Sequence, residues 1–294
     1  MPTLTELLEA GAHFGHKKEK SSPRAKQFTY TIRDNIFVID LDQTIARLKE
    51  AIDYLKKARD EGKTILFVGT KSQAKVAVKK AAESLNMPYV IVRWLGGMLT
   101  NFTTIRQSLK QLTDLETLAK SPDFDKFTKK ERKRIEEKII KLSEIFGGLK
   151  DLKDLPGAVF IVDTAKEKVA VLEARKKNIP IVGIIDTNAN PDLIDYPIPA
   201  NDDSQKTIEI IMSTIEDELK SSKSAPSKPI DEAKTEEETK APAPKEQAKK
   251  EPVKAIFEKK EKGQKKESQK KDNLKAKSDP KSDRPASKGR KGKK

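Results

Sequence analysis

An α/β fold built on a doubly wound parallel sheet is what this 294-residue sequence predicts, with an inserted antiparallel helical hairpin and a disordered C-terminal tail. Three observations carry that expectation. Short apolar runs are continuous rather than alternating, as strands covered on both faces must be. Stretches with helical spacing separate most of them, which is the rhythm of parallel βαβ units. Composition then changes abruptly near Ser221, where Lys, Glu, Ala, Pro and Ser take over.

In chain order, Thr3-x-x-Glu6 opens a short helix that Gly11 can end. Runs from Phe28 to Arg33 and from Ile36 to Asp40 flank Asp34-Asn35, the signature of a small hairpin. Asp40 can cap a helix with Leu41, Ile45, Leu48, Ile52 and Leu55 on one face, stopped by Gly62. Ile65-Leu66-Phe67-Val68 and Tyr89-Val90-Ile91-Val92 are strands, and between them Ser72 can cap a helix through Leu85. Ala158 to Val162 and Ile181 to Ile185 are further strands, separated by a helix from Lys166 to Lys177. Asp202 or Asp203 starts a last helix bearing Ile208, Ile211, Met212, Ile215 and Leu219.

Residues 101–150 break the rhythm. Phe102, Ile105, Leu109 and Leu112 step by three and four, as do Ile135, Ile139, Leu142 and Phe146. Thr128-x-x-Glu131 resembles a capping box, so two helices joined by a short loop form a hairpin with a coiled-coil-like seam that projects from the sheet. The organisation is therefore a core of 1–100 and 151–220, a hairpin over 101–150, and a Lys-rich tail over 221–294. That tail has too little apolar surface to offset its ordering entropy.

Charge is unevenly spread. The tail carries 24 Lys and Arg against 13 Asp and Glu, so it holds most of the chain's +15. Residues 1–110 have 19 basic and 11 acidic side chains, while 111–220 have 18 and 22. A basic front and a basic tail favour a polyanionic partner, because Lys and Arg that neutralise phosphates release counterions. Cysteine is absent, which removes disulfides, thiolate metal sites and thiol nucleophiles. No apolar run approaches the roughly 20 residues that span a bilayer, and no secretory signal opens the chain. A cytoplasmic location without a membrane partner is the expectation.

Three classes of function compete. A phosphate- or nucleotide-binding enzyme would use Gly69-Thr70-Lys71-Ser72 after a strand, yet the upstream glycine of a P-loop is missing and no GxGxxG occurs. Asp163 and Asp186 end two strands, where they can cap or hold Mg²⁺. His13 and His16 are the only histidines. His16 with Asp186 and Asp202, or Asp203, makes a candidate site for a structural divalent metal ion. No GxSxG elbow or nucleophile–base set is present, so neither catalysis nor a small-molecule substrate is expected.

An RNA-binding protein is the stronger expectation. Lys17, Lys18, Lys20, Arg24 and Lys26 lie in a basic segment bordered by Phe14 and Phe28, a combination suited to phosphates and exposed bases. Arg93 leaves a strand just before Gly96-Gly97, and neighbouring Trp94 suits either the core or a stacking platform. Lys71, Arg106 on the first hairpin helix, and Lys129, Lys130 and Lys133 at the hairpin tip complete the candidate cations. A solvated basic surface remains the plain alternative. A third class is a tail-driven nucleic-acid-compacting protein, which deletion of 221–294 would separate from the second.

The same motifs carry a family resemblance. Gly11-Ala12-His13-Phe14-Gly15-His16 resembles the opening signature of the ribosomal protein S2 family, and Ile65-Leu66-Phe67-Val68-Gly69-Thr70-Lys71 its first long-strand motif. Arg93-Trp94-Leu95-Gly96-Gly97-Met98-Leu99-Thr100-Asn101-Phe102 is similar to the family's most distinctive stretch. Leu155 to Asp163, Ile179 to Val182, Ile185 to Pro191 and Ile198 to Asp203 continue the match, with Ala200 where the family more often has glycine. The resemblance covers about residues 3–220 and leaves out the tail. It implies a flavodoxin-like sheet with an inserted coiled-coil hairpin of the bacterial type. It also implies small-subunit rRNA and neighbouring small-subunit ribosomal proteins as partners, with ribosomal protein S1 docking in many bacteria.

Overall fold

The computed structural model describes residues 1–221. The expected Lys-rich tail lies, beyond Ser221, outside the described residues. Helix α1 (Leu4–Glu9) has the capping box foreseen at Thr3 and Glu6. Strands β1 (Phe14–Lys17), β2 (Thr29–Arg33) and β3 (Ile36–Ile39) form a small antiparallel sheet in the order β1-β3-β2. Its tight turn places Asp34 and Asn35 at φ 49° and 63°, the left-handed pair that a two-residue hairpin requires. Strand β1 was not anticipated, because Phe14–Lys17 lacks an apolar alternation and looks like the start of the basic loop.

Helix α2 (Leu41–Asp60) is capped by Asp40, whose carboxylate accepts the Asp42 N–H at 3.1 Å. Strand β4 (Ile65–Val68) leads through a turn to α3 (Lys75–Ser84). That helix starts two residues later than a Ser72 cap would place it, because Ser72 turns its hydroxyl to Gln73 instead. Strand β5 (Tyr89–Val90) keeps only two of the four anticipated residues, since the chain turns away at Ile91 and exposes Val92. Helices α4 (Phe102–Lys120) and α5 (Lys129–Phe146) follow, joined by a short 3-10 segment at Pro122–Lys126. Then come β6 (Ala158–Val162), α6 (Lys168–Lys176), β7 (Ile181–Ile185), β8 (Tyr196–Pro199) and α7 (Gln205–Ser221). Strand β8 escaped the sequence because of Pro197 and Pro199, which a strand tolerates at a sheet edge.

The large sheet is parallel throughout, in the order β5-β4-β6-β7-β8. Alternate residues of its strands feed two cores. Ile65, Phe67, Phe160, Val162, Val182 and Ile184 pack under α2, α3 and α7. Leu66, Val68, Val159, Ile161, Ile181 and Ile185 face the other way, against α4 and α6. Both faces are thus covered, which is why the strands are apolar without a break. The Phe67 and Phe160 rings lie 5.5 Å apart in the first core, each adding roughly 2–3 kcal/mol of apolar burial.

The inserted helices pack on one another, and Thr128 with Glu131 forms the foreseen capping box. Their apolar stripe has a different use from a free-standing seam. Ile105, Leu109 and Leu112 of α4 join Phe146, Leu149 and Leu152 in the core beneath the sheet. Helix α4 is therefore a covering layer of the α/β core as well as an arm of the insertion.

Candidate functional site

The order of the strands reverses at β4, whose neighbours β5 and β6 are reached in opposite directions, so the carboxyl ends of β4 and β6 border the crevice where such folds bind ligands. Here side chains fill that position. Lys71, just after β4, places its Nζ 2.6 Å from Asp202 Oδ1, 2.7 Å from Asp203 Oδ1 and 3.2 Å from Asp163 Oδ2. Burial alone would depress the Lys71 ammonium, but hydrogen bonds to Asp202 and Asp203 and the charge of Asp163 outweigh it and hold its pKa above the usual range. Beside it the Thr70 hydroxyl donates to Glu167, whose carboxyl burial pushes up.

These contacts revise one expectation. Lys71 spends its charge on three carboxylates, so it offers no open ammonium to an RNA phosphate. Nor is the turn a phosphate cradle. A Cβ on Gly69 would lie 2.7 Å from Val78 Cγ2, so this glycine serves close strand–helix packing. A nucleotide entering here would meet clustered carboxylates and no unpaired lysine.

His16 sits at the rim of the same cluster. Its Nδ1 is 3.0 Å from Asp186 Oδ2 and its Nε2 is 3.7 Å from Asp203 Oδ2. The hydrogen bond to Asp186 raises its pKa against the opposing effect of burial. One ligand atom from each of His16, Asp186 and Asp203 falls within 4.8 Å of the others. The third acid is thus Asp203, in place of Asp202. Neighbouring residues diverge here: Asp202 is fully buried toward Lys71 with Oδ2 unpartnered, whereas Asp203 reaches out to His16. His13 takes no part; its ring lies 4.0 Å from that of Phe14 and burial lowers its pKa.

The basic segment is moored to this corner by backbone contacts. His16 N–H donates to Thr187 Oγ1 at 2.8 Å, and Ser22 N–H to the Thr187 carbonyl at 2.7 Å. A Cβ on Gly15 would come 2.7 Å from the Thr187 side chain, so only glycine allows this approach. Lys17, Lys18, Lys20, Arg24 and Lys26 are all exposed. Among them Arg24 makes an ion pair with Asp192 Oδ2 at 2.6 Å, with both side chains more than half exposed. Of the two flanking rings, Phe14 is exposed and Phe28 is core.

The loop from Arg93 to Asn101 is organised by a residue that sequence reasoning missed. Buried Glu173 of α6 accepts the N–H groups of Gly97, Leu99 and Thr100 at 2.6, 3.0 and 3.1 Å, the Thr100 hydroxyl at 3.1 Å, and the Trp94 indole at 3.3 Å. Trp94 is therefore core, while Arg93 stays exposed. Nothing in the sequence marks Glu173, which has the aspect of any solvent-facing helix glutamate. Arg106 is exposed on α4, and Lys129, Lys130 and Lys133 are exposed on the first turns of α5. Arg132 in the same stretch is drawn to Asp125 at 3.1 Å.

Fold and site together define an α/β protein whose strand-end crevice is filled by its own ion pairs and whose cations are displayed on exposed segments. Residues 7–222 match the family model described as ribosomal protein S2. The small ribosomal subunit protein uS2 of Helicobacter hepaticus is 45% identical over 219 residues, covering 74% of this chain and 83% of that one. Its counterpart in Coprothermobacter proteolyticus is 46% identical over 74% of this chain and 81% of its own. That of Helicobacter pylori is 47% identical over 71% and 80%. The chain belongs to the ribosomal protein S2 family. Among the described residues, no helix is long and apolar enough to cross a membrane.

Proposed function

We propose that this protein is a structural, non-enzymatic constituent of the small ribosomal subunit, working in the cytoplasm and binding small-subunit rRNA and neighbouring ribosomal proteins, ribosomal protein S1 among them. The observation that carries this reading is the division of charge. Lys71 is closed into a carboxylate cluster, while Lys17, Lys18, Lys20 and Lys26 stand exposed on a segment moored to a rigid sheet. Several weak phosphate contacts from such cations position a protein on folded RNA, and no step makes or breaks a bond.

Reversing Lys17, Lys18 and Lys20 to Glu in the full-length chain tests it. For every phosphate that the variant no longer neutralises, the dependence of log K on log salt should flatten by roughly 0.7–0.9. Rescue of affinity by low salt should be correspondingly weak. An unchanged slope with small-subunit rRNA would remove this segment from the interface.

We infer further that His16, Asp186 and Asp203 hold a divalent cation. The donor set, one imidazole nitrogen and two carboxylate oxygens, suits zinc with a position left for water or a partner's ligand. Zinc at about 100 times its Kd is expected to stabilise the protein by roughly 2.7 kcal/mol, seen as a rise in Tm. His16→Asn and Asp203→Asn should each abolish that rise. An equal rise in both variants would place the bound zinc elsewhere.

A further inference from the structure

Tyr30 is 79% exposed, and its position is unusual in three respects. It is the extra residue of a β-bulge: Thr29 pairs with Ile39 and Thr31 with Val38, leaving Tyr30 unmatched. It lies on β2, an edge strand of the small sheet, from which residues Tyr30 to Arg33 are all exposed. It is also idle. Of the four tyrosines, Tyr54 and Tyr196 stack on each other at 4.3 Å and Tyr89 donates to Glu83 at 2.8 Å. Tyr30 has no ring or hydrogen-bond partner among the described residues.

A bulge re-aims a side chain and interrupts edge pairing. Protection of the edge explains the bulge, yet a charged or polar residue would serve that end without exposing a ring to water. The surroundings supply the missing reason. Residues 14–39 hold six Lys and Arg against two acidic side chains, and Lys26 and Arg33 close to Tyr30 in sequence are exposed. Ile32 and Phe14 of the same small sheet are exposed as well, at 48% and 52%. An exposed ring on a sheet edge, with exposed cations close by in sequence, suits the stacking of unpaired nucleotides, the cations tracking phosphates while the ring takes a base.

We propose that Tyr30 is a stacking residue for an unpaired base of the bound RNA, on a platform made by the bulged edge of the small sheet. This rests on the RNA-binding reading above. Stacking needs the π-face and not the hydroxyl, and it removes no phosphate contact. Affinity should therefore depend on aromaticity at position 30 while the salt slope does not.

The test is the affinity of the full-length chain for small-subunit rRNA across a salt series, for the wild type and for Tyr30→Phe, Tyr30→Leu and Tyr30→Ala. Tyr30→Ala and Tyr30→Leu are expected to bind about tenfold more weakly with the slope unchanged, and Tyr30→Phe to bind like the wild type. Because the side chain is exposed, all four should melt together. Wild-type affinity in Tyr30→Ala, or rescue by Tyr30→Leu, would overturn the proposal and leave the RNA-binding reading standing. So would a defect that appears only when neighbouring ribosomal proteins are added, which would mark a protein contact. A wild type that ignores this rRNA at every salt concentration would overturn both.

Discussion

Glu173→Ala is expected to cost about 3 kcal/mol of folding stability, among the largest effects available to a single helix position. The reason is the number of donors that converge on one carboxylate. Removing it leaves the N–H groups of Gly97, Leu99 and Thr100 and the Trp94 indole without an acceptor, at a site only 8% exposed at Glu173. Burial works against the charged form, but the bonds from Gly97, Leu99, Thr100 and Trp94 prevail and hold its pKa below the ordinary carboxylate value. A depressed carboxylate stabilises the fold at pH above its unfolded value, and that contribution disappears as pH falls through the folded one. The gap between wild type and variant in urea unfolding should therefore be widest near neutrality and narrow in acid. A cost below about 1 kcal/mol at pH 7 would mean that water replaces the carboxylate freely.

Lys71→Met should be comparably damaging at neutral pH, about 3 kcal/mol, because it strands Asp163, Asp202 and Asp203 around an apolar side chain. Even with the lysine present, burial and then the nearby charges of Asp163 and Asp186 push the Asp202 carboxyl up to about 7, against the pull of Lys71. A carboxylate with a raised pKa disfavours the fold once it ionises, so its cost is absent below the unfolded value and complete above the folded one. Removing Lys71 raises that folded value further. The defect of the variant should shrink as pH falls from 7.5 toward 5, whereas a defect that depends on hydrophobic packing alone would not vary with pH. A defect that does not vary over this range would show that repulsion among the acids is not its source.

The sheet was legible because burial on both faces leaves a simple trace: Ile65 to Val68, Ala158 to Val162 and Ile181 to Ile185 are apolar at every position or interrupted only by Gly183. Strand β8 hides its character behind two prolines, and β1 behind glycine, histidine and lysine, since each depends on a neighbouring strand and not on its own pattern. The caps at Thr3, Asp40 and Thr128 were local and therefore visible. Helix α3 shows the limit of such signals, for Ser72 has a cap's chemistry but not its geometry. Long-range partners were not legible at all. No pattern shows that Lys71 would meet acids more than 90 residues away, that Asp203 and not Asp202 would face His16, or that Glu173 would organise a loop whose Thr100 lies 73 residues before it.

Exposed cations on a rigid α/β frame are what should hold folded ribosomal RNA. The most direct test is sequencing of RNA crosslinked to the protein in growing cells, with mapping of the crosslinked peptides. Reads concentrated in small-subunit rRNA, joined to peptides within residues 14–39, are the expected result. Reads scattered over messenger RNA, or an absence of ribosomal RNA crosslinks, would contradict it.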